Sequence, residues 1–134
     1  MYKNILVPVA VDHRPNTEDA IAIARALAGQ DGKITALTVL EAVPAFIMNE
    51  LPEGQIEQNK EDMRKVLKEM VHGEDVEVDV VLGHAGRTIN DYADENGIDC
   101  IVIASHQPGL QDYFLGSTAA RVVRHAHCAV HVLR

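Results

Sequence analysis

The chain has 134 residues, of which 47% are hydrophobic and 24% are charged. These proportions are typical of one globular domain, and they exclude a disordered, collagen-like or coiled-coil chain. The net charge of −8 and the scarcity of aromatic residues disfavour a surface that binds nucleic acid. No apolar run is long enough to span a membrane and no signal-peptide core is evident, so we expect a cytoplasmic protein that does not act at a membrane.

The first half of the chain alternates between strand and helix patterns. Residues 3–11 contain a near-continuous apolar run, which is typical of a strand covered on both faces. A helix is predicted over 16–28, with Asn16 in position to cap it, and a second strand over 34–40. Residues 42–53 combine two prolines with an apolar tip and lack a helix or strand period, so we predict a loop that is mobile without a ligand or partner.

The second half continues this alternation, with helices and strands predicted in turn over 56–72, 76–82, 87–96, 99–105, 117–125 and 128–133. Strict alternation predicts a single doubly wound α/β domain over residues 1–134, with a parallel sheet and helices on both faces. Ligands in such folds bind at the carboxyl ends of the strands. Cys100 and Cys128 lie in apolar runs, which indicates buried free thiols.

The segment Leu115-Gly116-Ser117-Thr118 opens the last predicted helix. A helix N-terminus presents unpaired N–H groups and a partial positive charge, which suit a phosphate. Gly116 would let the backbone approach closely, and the hydroxyls of Ser117 and Thr118 could donate to phosphate oxygens. The alternative is an ordinary turn with a helix cap. Arg121 and Arg124 are expected on a solvated face, too far along the helix to meet a phosphate at its start.

Metal binding and dedicated catalysis find little support in the sequence. His127 and His131 would share one face of a strand about 13 Å apart, while Cys128 would point to the other face, so one chain cannot gather three zinc ligands there. The chain has neither a Gly-x-Ser-x-Gly elbow nor a complete P-loop. Dedicated catalysis is therefore not indicated.

The whole chain resembles the universal stress protein family, and most of all its small F/G-type subgroup. The matching motifs occur in order: Ile5-Leu6-Val7-Pro8-Val9, Gly83, Ala104-Ser105-His106, Leu115-Gly116-Ser117, Val122-Val123-Arg124-His125-Ala126 and Cys128-Ala129-Val130. The resemblance implies the adenine nucleotide alpha hydrolase-like fold, a five-stranded parallel sheet in the order 3-2-1-4-5. It also implies binding of ATP or AMP, with Mg²⁺, and at most slow hydrolysis of the bound nucleotide is expected.

The resemblance places adenine against Pro8 and near the backbone of Val39, and places the phosphates and Mg²⁺ at Gly116. Gly83 would let a loop approach the ribose, and His106 could contact ribose or phosphate, unless it is simply a solvent-facing histidine. The implied nucleotide-binding residues are Pro8, Val9, Ala10, Asp12, Val39, Gly83, Ala104, Ser105, His106, Gln107, Gly116, Ser117 and Thr118.

The chain departs from the family pattern at several of these positions. ATP-binding members carry Gly-x2-Gly-x9-Gly-(Ser/Thr), but here Ala104 and Gln107 stand at the first two glycines and the loop to Gly116 is one residue shorter. The usual aspartate of the first strand is replaced by Ala10. Asp12, two residues further on, could take over that contact or could serve only as a turn residue.

Three functional hypotheses follow from the resemblance. The first is an ATP-binding stress-response protein that acts as a dimeric sensor or regulator. The second is a member of the same family that works as an interaction scaffold without nucleotide, and the third is a nucleotide-hydrolysing or nucleotide-transferring enzyme. Residues 128–133 would form an edge strand without proline or fixed charge, so a homodimer is expected through that strand.

Overall fold

Five parallel strands form one sheet: β1 Asn4–Pro8, β2 Lys33–Glu41, β3 Val76–Gly83, β4 Cys100–Ala104 and β5 Ala129–Leu133. Five helices alternate with them: α1 Arg14–Ala28, α2 Ala45–Met48, α3 Gln55–Met70, α4 Ala85–Glu95 and α5 Ser117–His125. The computed structural model describes residues 1–11, 14–41, 44–105 and 115–134.

The strand order is β3-β2-β1-β4-β5, as expected from the family resemblance. The chain first builds outward from β1 through β2 to β3, and then crosses back to place β4 on the other side of β1. Because of this reversal, β1 and β4 flank the point where connections leave in opposite directions. Such a point leaves an open crevice at the carboxyl ends of the strands.

The core has one layer on each face of the sheet. Along β1, Ile5 and Val7 are buried with residues of α1 and α3, whereas Leu6 is buried with residues of α4 and α5. Neighbouring strand residues point to opposite faces, so a continuous apolar run covers both layers. The alternation of strand and helix in the sequence is therefore confirmed as a doubly wound sheet.

Several element boundaries differ from the predictions. The segment predicted to be a loop contains the short helix α2, which follows Pro44; the fixed φ of that residue, −56° here, favours the start of a helix. Helix α1 begins at Arg14, so Asn16 lies inside it and is not its cap. Strand β1 ends at Pro8, which has no N–H to donate to the ladder. Whether residues 42–53 are mobile stays a prediction.

The two edges of the sheet carry different side chains. On β3, the Glu77 carboxylate lies 3.2 Å from the ammonium of Lys33, and Asp79 accepts a 2.9 Å hydrogen bond from the hydroxyl of Tyr92. Burial and the neighbouring carboxylate raise the pKa of Tyr92 to about 12, so this hydroxyl stays protonated as a donor. Strand β5, by contrast, has the sequence AVHVL without an acid, lysine or arginine.

The two cysteines are free thiols, as predicted, but only Cys100 is fully buried. Burial raises the pKa of Cys100 to about 11 and also raises the pKa of Cys128, so both remain protonated near neutral pH. Cys128 lies just before β5, not within it. Within the described ranges, every helix is too short or too polar to cross a bilayer.

Candidate functional site

A cavity of about 450 Å³ opens at the carboxyl ends of β1, β2 and β4, at the reversal point of the sheet. This volume is within the range of small-molecule sites. Its floor is made by strand ends, and helices α3, α4 and α5 supply its sides. The lining residues are Pro8, Val9, Ala10, Val11, Leu37, Thr38, Val39, Leu40, Glu41, Met63, Ala85, Ile89, Ile103, Ala104, Ser105, Gly116, Ser117, Thr118 and Ala119.

Most of the residues predicted for a nucleotide site lie around this one cavity: Pro8, Val9, Ala10, Val39, Ala104, Ser105, Gly116, Ser117 and Thr118. Gly83 is not among the lining residues. Asp12, His106 and Gln107 lie outside the described residues. The fold thus brings together positions that are separated by more than a hundred residues in the chain.

The floor of the cavity is held by hydrogen bonds between the ends of β1 and β2. The backbone N–H of Val9 donates to the carbonyl of Leu37 at 2.8 Å, and the Thr38 hydroxyl donates to the carbonyl of Val9 at 3.1 Å. Thr38 and Val9 are both buried. These bonds hold the backbone that follows Pro8 at the floor of the cavity.

The N-terminus of α5 forms one wall of the cavity and has no cap of its own. Gly116 precedes the helix with φ −56° and ψ 151°, no side chain caps it, and its first turn contains no acid. The first N–H groups of a helix have no partner within the helix, and they carry a partial positive charge. Because Ser117 and Thr118 line the cavity, this charge lies where an anionic ligand group could be accommodated.

The glycine at position 116 is not required by the backbone. Its φ is one that any residue adopts, and among the described residues a Cβ placed there would lie no closer than 3.5 Å to its nearest neighbour, the carbonyl oxygen of Ser105. Such a contact is an ordinary van der Waals distance. Within the described part of the chain, the missing side chain therefore leaves free space in the cavity wall.

Gly83 and the start of α4 differ from this arrangement. Gly83 has a φ of 156°, which L residues rarely adopt, and a Cβ there would collide with the hydroxyl of Thr88. Next to it, the carboxylate of Glu41 accepts a 3.4 Å hydrogen bond from the N–H of Ala85 and lies 3.5 Å from Nδ1 of His84. Gly83 thus has a structural reason to be glycine, and its predicted contact with ribose stays a prediction.

The sequence reasoning missed the side walls of the cavity. Met63 of α3 and Ile89 of α4 line it from the two faces of the sheet, and Glu41 stands at its edge. Met63 and Ile89 belong to apolar helical stripes, so the sequence marks them only as core residues. The β2 strand runs one residue beyond the predicted end, and this extension carries Glu41 to the cavity.

A groove of about 340 Å³ continues from the cavity between α4 and α5. Its lining residues are Glu41, Ala85, Gly86, Ser117, Thr118, Ala120, Arg121, Arg124 and His125. Arg121 and Arg124 are solvent-exposed, as expected. They line the same groove as Ser117 and Thr118, and whether they are too far along α5 to meet a phosphate at its start stays a prediction. Sequence spacing places them on α5 but does not show what α4 packs against.

Neither cysteine lines the cavity, and both are protonated near neutral pH, so a thiolate nucleophile is not available there. Among the described residues, no three His, Cys, Asp or Glu side chains are placed to share a metal ion. The groups that the cavity offers to a ligand are backbone donors, the hydroxyls of Thr38, Ser105, Ser117 and Thr118, and apolar walls.

Several solved structures of similar fold are universal stress proteins. The chain has a TM-score of 0.70 and 29% identity to universal stress protein UspA from Lactobacillus plantarum, covering 99% of this chain and 98% of that one. Two more distant structures match in fold. One is a universal stress protein in complex with cAMP, with 20% identity, a TM-score of 0.63 and coverage of 99% and 97%. The other is the protein from Archaeoglobus fulgidus in complex with dAMP, with 18% identity, a TM-score of 0.59 and coverage of 99% and 98%.

The sequence comparisons agree with the fold. Universal stress protein G of Escherichia coli O157:H7 is 29% identical over 142 residues, covering all of both chains. The universal stress protein of Methanothermobacter thermautotrophicus is 25% identical and covers 100% of this chain and 97% of its own length. The model of the universal stress protein family matches residues 1–134. The chain therefore belongs to the universal stress protein family.

Proposed function

We propose that this protein binds an adenine nucleotide in the cavity at the carboxyl ends of β1, β2 and β4. The observation that carries the proposal is the uncapped N-terminus of α5, which opens into a cavity of suitable size beside Ser117 and Thr118. Although the chain has a net charge of −8, the first turn of this helix contains no acidic residue. Adenine would lie against Pro8, and the phosphates would receive hydrogen bonds from the first turn of α5.

The base end of the cavity supports recognition through the backbone. Val39 lies near the end of β2 and lines the cavity. The backbone after Pro8, held by the hydrogen bond from the Thr38 hydroxyl, lines the floor of the same cavity. Backbone N–H and C=O groups can form hydrogen bonds with the edge of an adenine, so a dedicated side chain is not needed. The apolar walls of Met63 and Ile89 suit the faces of a flat base.

Two structures of similar fold are complexes with cAMP and dAMP, and both ligands are adenine nucleotides. This supports the same ligand class for the present chain. Mg²⁺, if it accompanies ATP, would be held by phosphate oxygens together with the hydroxyl of Ser117 or Thr118, because Mg²⁺ prefers oxygen ligands. The bound Mg²⁺ would neutralise part of the phosphate charge.

The first experiment identifies what the protein carries. Mass spectrometry of small molecules released from the purified protein is expected to find an adenine nucleotide, and calorimetry is expected to show that ATP binds whereas GTP binds at least tenfold more weakly. Gly116→Val would place a branched side chain in the free space beside Ser117. It is expected to lower ATP affinity at least tenfold, because a charge-assisted hydrogen bond contributes about 1.5–3 kcal/mol. Unchanged affinity in a variant with an unchanged circular dichroism spectrum would contradict this site.

We further propose that the protein acts as a homodimer, as a sensor or regulator in a stress response. Strand β5 is a sheet edge whose free side has no acid, lysine or proline to block pairing. Antiparallel pairing of two β5 strands about a two-fold axis makes the contact self-complementary.

Proline scanning of both edges tests this dimer. Val130→Pro in β5 is expected to yield monomers in light scattering, whereas the matched change Val78→Pro in β3, the other edge strand, leaves the dimer intact. A monomeric wild type at high micromolar concentration, or a dimeric Val130→Pro variant, would contradict the interface.

A second candidate function is an interaction scaffold that does not use nucleotide. It is favoured by Ala10 and Ala104, which line the cavity without a polar side chain where the family pattern has aspartate and glycine. The two candidates are separated by the calorimetry described above: a folded wild type that binds neither ATP nor AMP at millimolar concentration supports the scaffold.

A further inference from the structure

The groove between α4 and α5 carries two arginines, Arg121 and Arg124, at the exit of the candidate nucleotide cavity. We propose that this groove binds the terminal phosphates of a nucleoside triphosphate, so that the protein selects ATP over AMP. The proposal rests on the proposed function for the adenosine end of the ligand. It adds the two arginines as the residues that determine specificity for the length of the phosphate chain.

The groove and the cavity are continuous. Ser117 and Thr118 line both, and Ala85 and Glu41 form the opposite side of the passage. Along α5, Arg121 lies about 6 Å and Arg124 about 10 Å beyond Ser117, at 1.5 Å per residue. A single phosphate at Ser117 would leave the outer part of the groove empty. A phosphate chain that starts there and runs along α5 would pass the guanidinium groups.

The charges of Arg121 and Arg124 are not used elsewhere in the described part of the chain. Three other arginines lie within 4.0 Å of a carboxylate: Arg25 of Asp75 at 2.8 Å, Arg64 of Glu61 at 3.9 Å, and Arg87 of Asp91 at 3.9 Å. Neither Arg121 nor Arg124 has such a partner among the described residues. With twenty acids against twelve bases in the chain, two adjacent arginines without a carboxylate favour an external anion.

Helix α4 holds Arg121 in position through a close contact. A Cβ on Gly86 would lie 2.7 Å from Cδ and 3.0 Å from Cβ of Arg121, so the arginine stem packs into the space that this glycine leaves. Gly86 is buried. The Asn90 amide also donates a 3.5 Å hydrogen bond to the carbonyl of Arg121. Because its stem is packed, this arginine loses less side-chain freedom when it binds a phosphate.

Among the described residues, one acidic group faces the passage and opposes an anion there. The carboxylate of Glu41 lines the groove, but it is already engaged with the N–H of Ala85 and with His84. His125, at the other end of the groove, adds a further nitrogen donor. The two guanidinium groups outnumber the one carboxylate, so the groove keeps a net positive charge.

Calorimetry with ATP, AMP and inorganic tripolyphosphate tests the proposal. We expect the wild type to bind ATP more tightly than AMP and also to bind tripolyphosphate alone. The double variant R121Q/R124Q is expected to lose about tenfold in ATP and tripolyphosphate affinity for each arginine, with AMP affinity unchanged. Arg87→Gln is the matched control, since it removes one charge from α4 outside the groove and is expected to leave the ratio of ATP to AMP affinity unchanged.

Gly86→Ala tests whether the position of Arg121, and not only its charge, matters for ATP binding. The added methyl group keeps both arginines but displaces the stem of Arg121, and alanine favours the helix, so the fold should be retained. We expect weaker ATP binding with AMP binding intact. An unchanged ratio of ATP to AMP affinity in both R121Q/R124Q and Gly86→Ala would overturn the proposal.

The tripolyphosphate measurement distinguishes a failure of the arginine-groove proposal from a failure of the proposed nucleotide function. If neither ATP nor AMP binds but tripolyphosphate binds and depends on Arg121 and Arg124, the proposed nucleotide function is wrong and the arginine groove remains a polyphosphate site. If tripolyphosphate does not bind, and ATP and AMP bind equally, the nucleotide function stands and the groove proposal is overturned.

Discussion

Helices α4 and α5 both begin beside the same cavity, and a glycine precedes each of them: Gly83, two residues before α4, and Gly116, directly before α5. The other groups at the two helix starts differ. At α4, the glycine adopts a φ of 156°, and the carboxylate of Glu41 accepts a hydrogen bond from the first N–H of the helix. At α5, the glycine has an ordinary φ, no side chain caps the helix, and the first turn has no acid.

This difference separates a glycine that the fold requires from one that it does not. The chain itself supplies the negative charge at α4, so an external anion has little to gain there. At α5, the residues that the structure describes leave the space beside Gly116 open and provide no side-chain cap for the N–H groups. The conformation of the glycine and the presence of a nearby acid together indicate which of the two helix starts could accept an anionic ligand.

The strongest test makes the start of α5 resemble that of α4. Ser117→Asp places a carboxylate in the first turn, which should stabilise the helix by about 0.3–1 kcal/mol. The same carboxylate should repel a phosphate, since like charges in close contact cost several kcal/mol, so we expect ATP affinity to fall by roughly a hundredfold or more. Thermal unfolding and calorimetry measure the two effects.

Val123→Asp is the control for this change, because it adds the same charge on an exposed position of α5, away from the cavity. It should leave ATP affinity within about twofold, since exposed charges at a distance are screened by salt. Equal losses in the two variants would mean that net charge, and not the helix start, governs binding.

At α4, the comparison predicts a loss of stability. Gly83→Ala should lower the free energy of unfolding by about 1–3 kcal/mol, because alanine is strained at this φ and its methyl group meets Thr88. Denaturant unfolding of Gly83→Ala, with and without Thr88→Ala, separates the two causes: removing Thr88 should recover only the part due to the collision. Weaker nucleotide binding without a loss of stability would instead support the predicted ribose contact of Gly83.

The smallest effect is expected at Glu41. Glu41→Gln keeps an oxygen that can accept the hydrogen bond from the N–H of Ala85 but removes the charge that faces the cavity. Because the side chain is exposed, we expect ATP affinity to rise only about two- to threefold and the stability to fall by a few tenths of a kcal/mol. A decrease in ATP affinity, measured by calorimetry, would show that Glu41 contacts the ligand directly.

The sequence was sufficient for the fold class, whereas the site residues stay predictions. Alternating apolar runs and helical stripes are local properties, and they predict the doubly wound sheet. Chain order and strand direction placed a site at the carboxyl ends of the strands. The choice of Pro8, Ala104 and Gly116 within it came from the family resemblance, and the structure brings these three residues to one cavity.

The helix-borne half of the site depends on contacts that sequence spacing does not contain. Met63 and Ile89 sit in apolar stripes that look the same whether they face the core or the rim of a cavity. The position of Arg121 depends on its contact with Gly86, which is 35 residues away in the chain and carries no side chain to mark the contact. Likewise, the strain at Gly83 becomes visible only with the backbone and Thr88 in place.

The unequal edges of the sheet have a consequence for how large an assembly can grow. An edge such as β5, without fixed charge, can join a second copy, but β3 bears Glu77 and Asp79. Two β3 edges brought together would oppose like charges, and β3 joined to β5 would generate an open chain of molecules. If two copies pair through β5 as proposed, the described residues offer no second edge without charged side chains, and the assembly would stop at two copies.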